Sequence, residues 1–192
     1  MTTGRSRKLA LAAATASLLL TGCATGNDHG TRMMGNGSTY HSSKLTCSAP
    51  ADLPGRTVNV VLGDMGMTRM MGGTAPVGAR MRLQADPAVL VAGRVSLVAT
   101  NMGWRTHELV VLPLSGGQSA GRRIPGSDGR VDESGSFGEA SASCGAGSGD
   151  GIRAGTVGWT TLTLAPGRYE LVCNLRNHYA NGMHQEIRVT SS

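Results

Sequence analysis

From Arg56 onward the chain is a series of short apolar runs broken by turn residues. Thr57–Leu62 is apolar and β-branched, Arg80–Leu83 alternates, and Pro87–Val91 and Val95–Thr100 are two runs separated by Ala92-Gly93-Arg94. His107–Leu114, Trp159–Leu164, Arg168–Cys173 and Gln185–Thr190 complete the set. Runs of this length, rich in Val, Thr and Leu and bounded by Gly, Pro and Asp, have the pattern of strands. No stretch after Cys23 carries the period of an amphipathic helix. Repeated short strands with such turns predict an all-β domain, a sandwich or barrel. In Leu164-Ala-Pro166-Gly167-Arg-Tyr169, Pro and Gly stand where a type II turn takes them. This turn is expected to reverse the Trp159–Leu164 strand into Tyr169–Cys173. Alternation puts Tyr169, Leu171 and Cys173 on one face of their strand, and His107, Leu109 and Val111 on one face of theirs.

Two stretches depart from this rhythm. Residues 115–156 are dominated by Gly, Ser and Ala, with a charged patch from Arg122 to Glu133. They are expected to form a long surface insertion of low order, with Cys144 as a point of attachment. Partner recognition and a merely tolerated loop are both compatible with that composition. The other departure is the start of the chain. Arg5, Arg7 and Lys8 precede the apolar stretch Leu9–Leu20, which is too short to span a bilayer stably. It ends in Leu20-Thr21-Gly22-Cys23, which resembles the lipobox of bacterial lipoproteins. That resemblance implies removal of residues 1–22 as a signal peptide and acylation of Cys23, palmitate included. The alternative is an ordinary secretory signal with an incidental cysteine. Residues 23–52, rich in Gly, Ser, Thr and Asn, read as a flexible tether, and 53–192 as the folded domain. His29, His41, Met33 and Met34 fall in the tether and read as solvated residues.

The formal charge of +6 overstates the basicity, because removing residues 1–22 leaves +3. Without runs of Lys or Arg, nucleic-acid binding is not indicated. Basic patches remain available to steer an acidic redox partner. Export also bears on the cysteines, since oxidising compartments convert paired thiols to disulfides. With Cys23 acylated, Cys47, Cys144 and Cys173 remain. Pairing Cys47 with Cys144 leaves Cys173 free, whereas pairing Cys144 with Cys173 removes it as a metal ligand.

The chemistry concentrates in Cys173-Asn-Leu-Arg-Asn-His178-Tyr-Ala-Asn-Gly-Met183, spaced C-x4-H-x4-M. A second imidazole, His107, follows Asn101-Met-Gly-Trp-Arg-Thr and opens an apolar run. Two imidazoles, a thiolate and a weak thioether form the ligand set of a blue-copper electron-transfer site. Zinc prefers more thiolate or imidazole donors and rarely takes Met. Three donors share one strand-anchored loop, and His107 closes the set from a distant strand. Met65, Met67, Met70 and Met71 form a second soft cluster, readable as Cu(I) donors, apolar gap-fillers or a docking patch. Trp104, Trp159 and Tyr169 read as core.

The segment from about Thr57 to Thr190 resembles the cupredoxins, particularly those of the sulfocyanin and rusticyanin type. The likeness is carried by the C-x4-H-x4-M loop, by Val58-Asn-Val-Val-Leu-Gly-Asp-Met65, by Asn101-Met-Gly-Trp-Arg-Thr-His107-Glu-Leu-Val-Val and by Pro166-Gly-Arg-Tyr-Glu-Leu-Val-Cys173. It implies a Greek-key β-sandwich holding one type 1 copper, with His107, Cys173 and His178 as strong ligands and Met183 as the axial one. It also implies that His178, at the solvent edge, is the port for electrons. Glu108 departs from the pattern, since many cupredoxins have Asn after the first histidine and use it to tie the ligand-bearing strands together. An ionised carboxylate accepts hydrogen bonds but donates none. His184 adjoins Met183 but points the opposite way along a strand, so it is expected to face solvent.

Three functions follow for comparison. The first is a monomeric one-electron carrier, lipid-anchored through Cys23 on the extracytoplasmic face of the cell membrane, docking transiently to membrane redox proteins. The second is a copper-handling protein, a buffer or chaperone that gives its metal away. The third, an enzyme, is disfavoured: multicopper catalysis needs further His ligands, and the chain has five His in all. No Ser-His-Asp grouping, phosphate loop or C-x3-C copper motif appears in the sequence.

Overall fold

A computed structural model describes residues 44–64 and 74–191. The signal segment, Cys23, His29, His41, Met33, Met34 and the cluster Met65, Met67, Met70 and Met71 lie outside the described residues. Ten strands follow one another in the described part: β1 (Arg56–Asp64), β2 (Met81–Asp86), β3 (Val89–Val91), β4 (Gly93–Asn101), β5 (Leu109–Pro113), β6 (Gly138–Ala140), β7 (Gly145–Ala146), β8 (Val157–Leu164), β9 (Gly167–Val172) and β10 (His184–Thr190). They form two five-stranded sheets, ordered β2-β1-β4-β8-β7 and β3-β10-β9-β5-β6. The fold is an all-β sandwich.

Alternation decides which side chains fill the space between the sheets. Val58, Val60 and Leu62 of β1, Val95, Leu97 and Ala99 of β4, Leu109 and Val111 of β5, and Tyr169 and Leu171 of β9 all join one core. Burying each large aliphatic side chain contributes roughly 1.5–3 kcal/mol before entropy is counted. Along β2 buried and exposed residues alternate, as expected where one face meets the core and the other meets water.

Pro166-Gly167 does not form the expected type II turn, because Gly167 is the first residue of β9 and is not among the glycines with positive φ. The two strands do follow one another directly, but β8 and β9 lie in different sheets, so Ala165 and Pro166 carry the chain across the sandwich. In consequence β9 pairs with β5, with Val110 opposite Val172. That pairing brings the end of β9, where Cys173 sits, beside the residues that precede β5.

The Gly/Ser-rich insertion is more ordered than its composition suggests. It contributes β6 to one sheet and β7 to the other. It also supplies Val131 to a second, smaller apolar cluster with Val110, Leu112, Val172 and Tyr179. These residues lie on the face of β5 and β9 that points away from the main core. The insertion therefore forms a partial third layer, and this explains why β5 is buried on both faces. Cys144 is bonded to Cys47, fastening the insertion to the segment ahead of β1. Cys173 is left as a free, buried thiol.

Candidate metal centre

His107 lies between β4 and β5 and is held by its main chain. Its N–H donates to Ile152 O (3.0 Å), and Ile152 N–H donates back to His107 O (2.7 Å). The turn leading to it is organised by the fully buried Asn101. The Asn101 amide donates to Arg105 O (2.7 Å) and Ile152 O (2.7 Å) and accepts from Gly103 N–H (2.9 Å). A side chain that satisfies three separated backbone groups fixes a turn more firmly than the turn's own sequence does.

The loop after β9 is closed by two main-chain bonds, Cys173 N–H to Met183 O (3.0 Å) and Met183 N–H to His178 O (3.2 Å). Asn177 takes a left-handed conformation (φ 68°) just before His178, and Gly182 does so (φ 99°) just before Met183. Asn and Gly accept that region most readily, and the two positions turn the following side chains back inward. Cys173 and Met183 are fully buried in the main core, and His107 is fully buried beside them. His178 keeps 5% of its surface exposed, so of these four it is the one nearest solvent.

The donor atoms converge. His107 Nδ1 and His178 Nδ1 are 3.2 Å apart, and Cys173 Sγ is 3.8 Å from the first and 3.3 Å from the second. A triangle with these edges has its centre about 2.0 Å from every corner, close to ordinary metal–nitrogen and metal–sulfur bond lengths. Among the described residues this is the one group of three metal-ligating side chains of the His, Cys and carboxylate types that come together. The donor set and its spacing fit a single metal ion, and two imidazoles with a thiolate suit copper.

Protonation supports the same reading. Burial drives the His178 imidazole down to about 3, with the neighbouring His107, Arg105 and Arg130 charges adding to the effect. Burial also lowers His107, although Asp64 pulls it back. Both rings are therefore neutral at pH 7 with a lone pair free to ligate. The Cys173 thiol is pushed up to about 12 by burial and, next, by the Glu108 carboxylate. Without a metal it is a thiol, and ligation must release its proton.

Two carboxylates adjoin the donors, and sequence reasoning assigned neither of them the role it has here. Asp64, the last residue of β1, accepts from His107 Nε2 (3.1 Å), Trp104 N–H (2.9 Å) and Arg105 N–H (3.0 Å) through one oxygen. Burial alone would raise its pKa, but these hydrogen bonds and the His107 charge outweigh burial and lower it. A carboxylate on the far nitrogen fixes the tautomer that leaves Nδ1 free to ligate, and it raises the ring's basicity. Gly103 leaves room for this contact, since a Cβ there would lie 2.3 Å from Asp64 Oδ2. No spacing rule links a residue at the end of β1 to a histidine 43 positions later. Glu108 links the two ligand-bearing strands through its backbone, donating its N–H to Cys173 Sγ (3.3 Å). Its side chain is 9% exposed, one oxygen has no partner, and burial with the Glu133 and Glu139 charges raises it to about 7.

His184 does point away from the donors, but it does not stand free in solvent. Its ring centroid lies 5.0 Å from that of Tyr179, and Gly121 of the insertion covers it.

No protein-family profile and no curated protein sequence matches the chain. Solved structures with a similar arrangement include auracyanin B, at 16% identity over 78% of this chain and 99% of that one, with a TM-score of 0.43. Rusticyanin from Thiobacillus ferrooxidans matches at 18% identity over 80% and 99%, with a TM-score of 0.40. Auracyanin A, a "blue" copper protein from the green thermophilic photosynthetic bacterium Chloroflexus aurantiacus, matches at 13% identity over 70% and 98%, with a TM-score of 0.40. With every identity below 20% and every TM-score below 0.5, the chemistry of the centre rests on its own atoms.

Proposed function

We propose that this chain is a one-electron carrier with one type 1 copper centre, in which His107, Cys173 and His178 are the strong ligands and Met183 the axial ligand. The observation that carries the proposal is the buried triangle of two Nδ1 atoms and one Sγ, with edges of 3.2, 3.3 and 3.8 Å. Bound there, copper would supply a reversible one-electron couple. The residues around it do the rest. The triangle is formed before any metal arrives, so little rearrangement is needed for either oxidation state. Core packing excludes water from Cys173 and His107. His178, with its small exposed edge, is the shortest route for an electron to reach solvent or a partner.

The copper-handling alternative drew on Met65, Met67, Met70 and Met71 and on the tether's His and Met residues, all outside the described residues. The fully buried Cys173, His107 and Met183 favour retention of the metal over its transfer.

Membrane attachment through acylated Cys23, an extracytoplasmic location and docking to membrane redox proteins belong to the same reading. They are supported by the Leu20-Thr21-Gly22-Cys23 sequence and by the Cys47–Cys144 disulfide, a bond typical of oxidising compartments. Mass spectrometry of the chain recovered from membranes tests the anchor. A lipid-modified N-terminal Cys23 supports it, and an unmodified Cys23 overturns it.

Copper(II) added to the purified protein, followed by optical and paramagnetic-resonance spectra, tests the centre. An intense thiolate-to-copper band at about 600 nm with narrow copper hyperfine splitting is expected. An ordinary tetragonal copper spectrum, or no binding, overturns the assignment. Retention then separates the two functions: a carrier keeps its metal against a competing chelator while exchanging electrons, and a chaperone releases it.

A further inference from the structure

The insertion between β5 and β8 runs along the outside of β9 and the ligand loop and holds the residues between the donors. Glu170, in β9, is fully buried with its side chain pointing away from the main core. One of its oxygens accepts from Gly121 N–H (2.6 Å) and from the Tyr179 hydroxyl (2.9 Å). The other accepts from Arg123 Nε (2.7 Å). Arg123 N–H also donates to the Tyr179 hydroxyl (3.0 Å), and the Arg123 guanidinium reaches Pro113 O. Tyr179, which directly follows His178, is thus tied to one end of the insertion directly through Arg123 N–H and indirectly through Glu170 of β9. Asn174, which directly follows Cys173, is tied to the other end. It accepts from Val131 N–H (2.7 Å) and donates to Val131 O (2.8 Å) and Glu133 (2.6 Å). Between them Asn177 N–H donates to Gly129 O (2.9 Å).

The opposite side of the loop is held as well. Asn177 donates to Ala75 O (2.9 Å), and Asn181 donates to Pro76 O (2.9 Å) while accepting from Gly78 N–H (2.8 Å). The donors Cys173 and His178 take no part in these side-chain bonds, whereas their neighbours Asn174, Asn177, Tyr179 and Asn181 do. A loop without regular strand pairing has no ladder to fix it, and a fully satisfied buried polar network supplies the missing rigidity.

We propose that the Gly/Ser-rich insertion is an outer brace for the metal-ligand loop, with Arg123, Glu170, Tyr179 and Asn174 as positioning residues that hold Cys173 and His178 at their spacing whether or not metal is bound. The inference deepens the copper reading and rests on it for the identity of the metal. The brace itself is a property of the metal-free protein and is tested there first.

The test is Tyr179→Phe in the full chain. It removes the hydroxyl that joins Glu170 to Arg123 and keeps the ring in its apolar cluster. Amide hydrogen exchange is followed without metal. Residues 174–182 are expected to exchange about tenfold faster, the effect of losing one buried hydrogen bond, while β1 and β4 stay unchanged. Arg123→Lys keeps a cation beside Glu170 but loses the fixed fork of the guanidinium, and it is expected to act in the same direction. In the copper-loaded protein the same variants are expected to widen the copper hyperfine splitting and shift the reduction potential. Unchanged exchange in 174–182 overturns the brace, as does a fall in melting temperature with exchange raised equally in every strand. Faster loop exchange with an unaltered copper spectrum also overturns it, because the ligands would then be held by other means. If the parent protein gives no blue copper spectrum, the copper reading fails, and the metal-free exchange still decides on the brace.

Discussion

Cys173 is the residue on which the centre turns. Its thiol stands at about 12 in the metal-free protein, because burial and the Glu108 charge outweigh the backbone hydrogen bonds and the Arg130 charge that favour a thiolate. Copper uptake at neutral pH must therefore expel one proton per site, while neutral His107 and His178 expel none. The apparent copper affinity is expected to rise about tenfold per pH unit from pH 6 to 9, until the thiol's own pKa is approached. Titration calorimetry in buffers of different ionisation enthalpy measures the proton count, and a count of zero would mean that the thiolate is not a ligand. Cys173→Ser is expected to abolish the visible band and to leave a folded domain, with circular dichroism as the check on folding. At Asp64 the expectation concerns strength. Asp64→Asn removes the charge behind His107, and copper affinity is expected to fall about 10- to 100-fold, read by competition with a chelator. An unchanged affinity would make the carboxylate a purely structural cap for the Trp104 and Arg105 N–H groups.

At the scale of elements, the strands were legible because each is a short run with a clear period and a clear stop. β1, β4, β8, β9 and β10 fall within two residues of the apolar runs that predict them. The insertion was not legible, because Gly and Ser carry no periodicity. Its order comes from long-range partners, such as Val131 against Val172 and Arg123 on Glu170. The ligand loop was legible for the opposite reason, since three of its donors lie within eleven residues of one another. Asp64 and the Glu170 network escaped notice because their partners are distant in sequence. The disulfide makes a prediction at this scale. Cys47–Cys144 closes a loop with a sequence separation of 97 that includes His107, but neither cysteine is itself a metal donor. Replacing both cysteines with Ser is expected to cost about 2–4 kcal/mol in denaturant unfolding and to leave the copper spectrum in place. A lost spectrum would show instead that the staple positions His107 through its bridge to Ile152.

For the whole molecule, the two sheets bury ionisable groups near the centre whose responses to acid oppose each other. His178 has a folded pKa of about 3 against an ordinary value of 6.5. The unfolded chain therefore binds that proton first, and the folded state loses stability as pH falls from about 6.5 towards 3. Glu108 has the reverse sign, with a folded value of about 7 against 4.5. The folded state binds that proton first and gains stability as pH falls from about 7 to 4.5. Between about 6.5 and 4.5 these two responses offset one another, and His107, lowered by burial, adds a further loss of the His178 sign. Below 4.5 the Glu108 contribution is complete while that of His178 continues. Asp64, lowered chiefly by its hydrogen bonds against the pull of burial, adds to the loss there. The metal-free protein is thus expected to show a melting temperature that falls gently from pH 6.5 to 4.5 and steeply below. His178→Gln removes the first response and leaves the second. That variant is expected to hold a nearly level melting temperature from pH 6.5 to 4.5, because the loss from the lowered His107 and the gain from Glu108 then offset one another. A melting curve for the variant that falls steeply over the same interval would show that the His107 loss goes unopposed, so that Glu108 is already solvated and does not carry the burial that the packing of β5 against the insertion gives it.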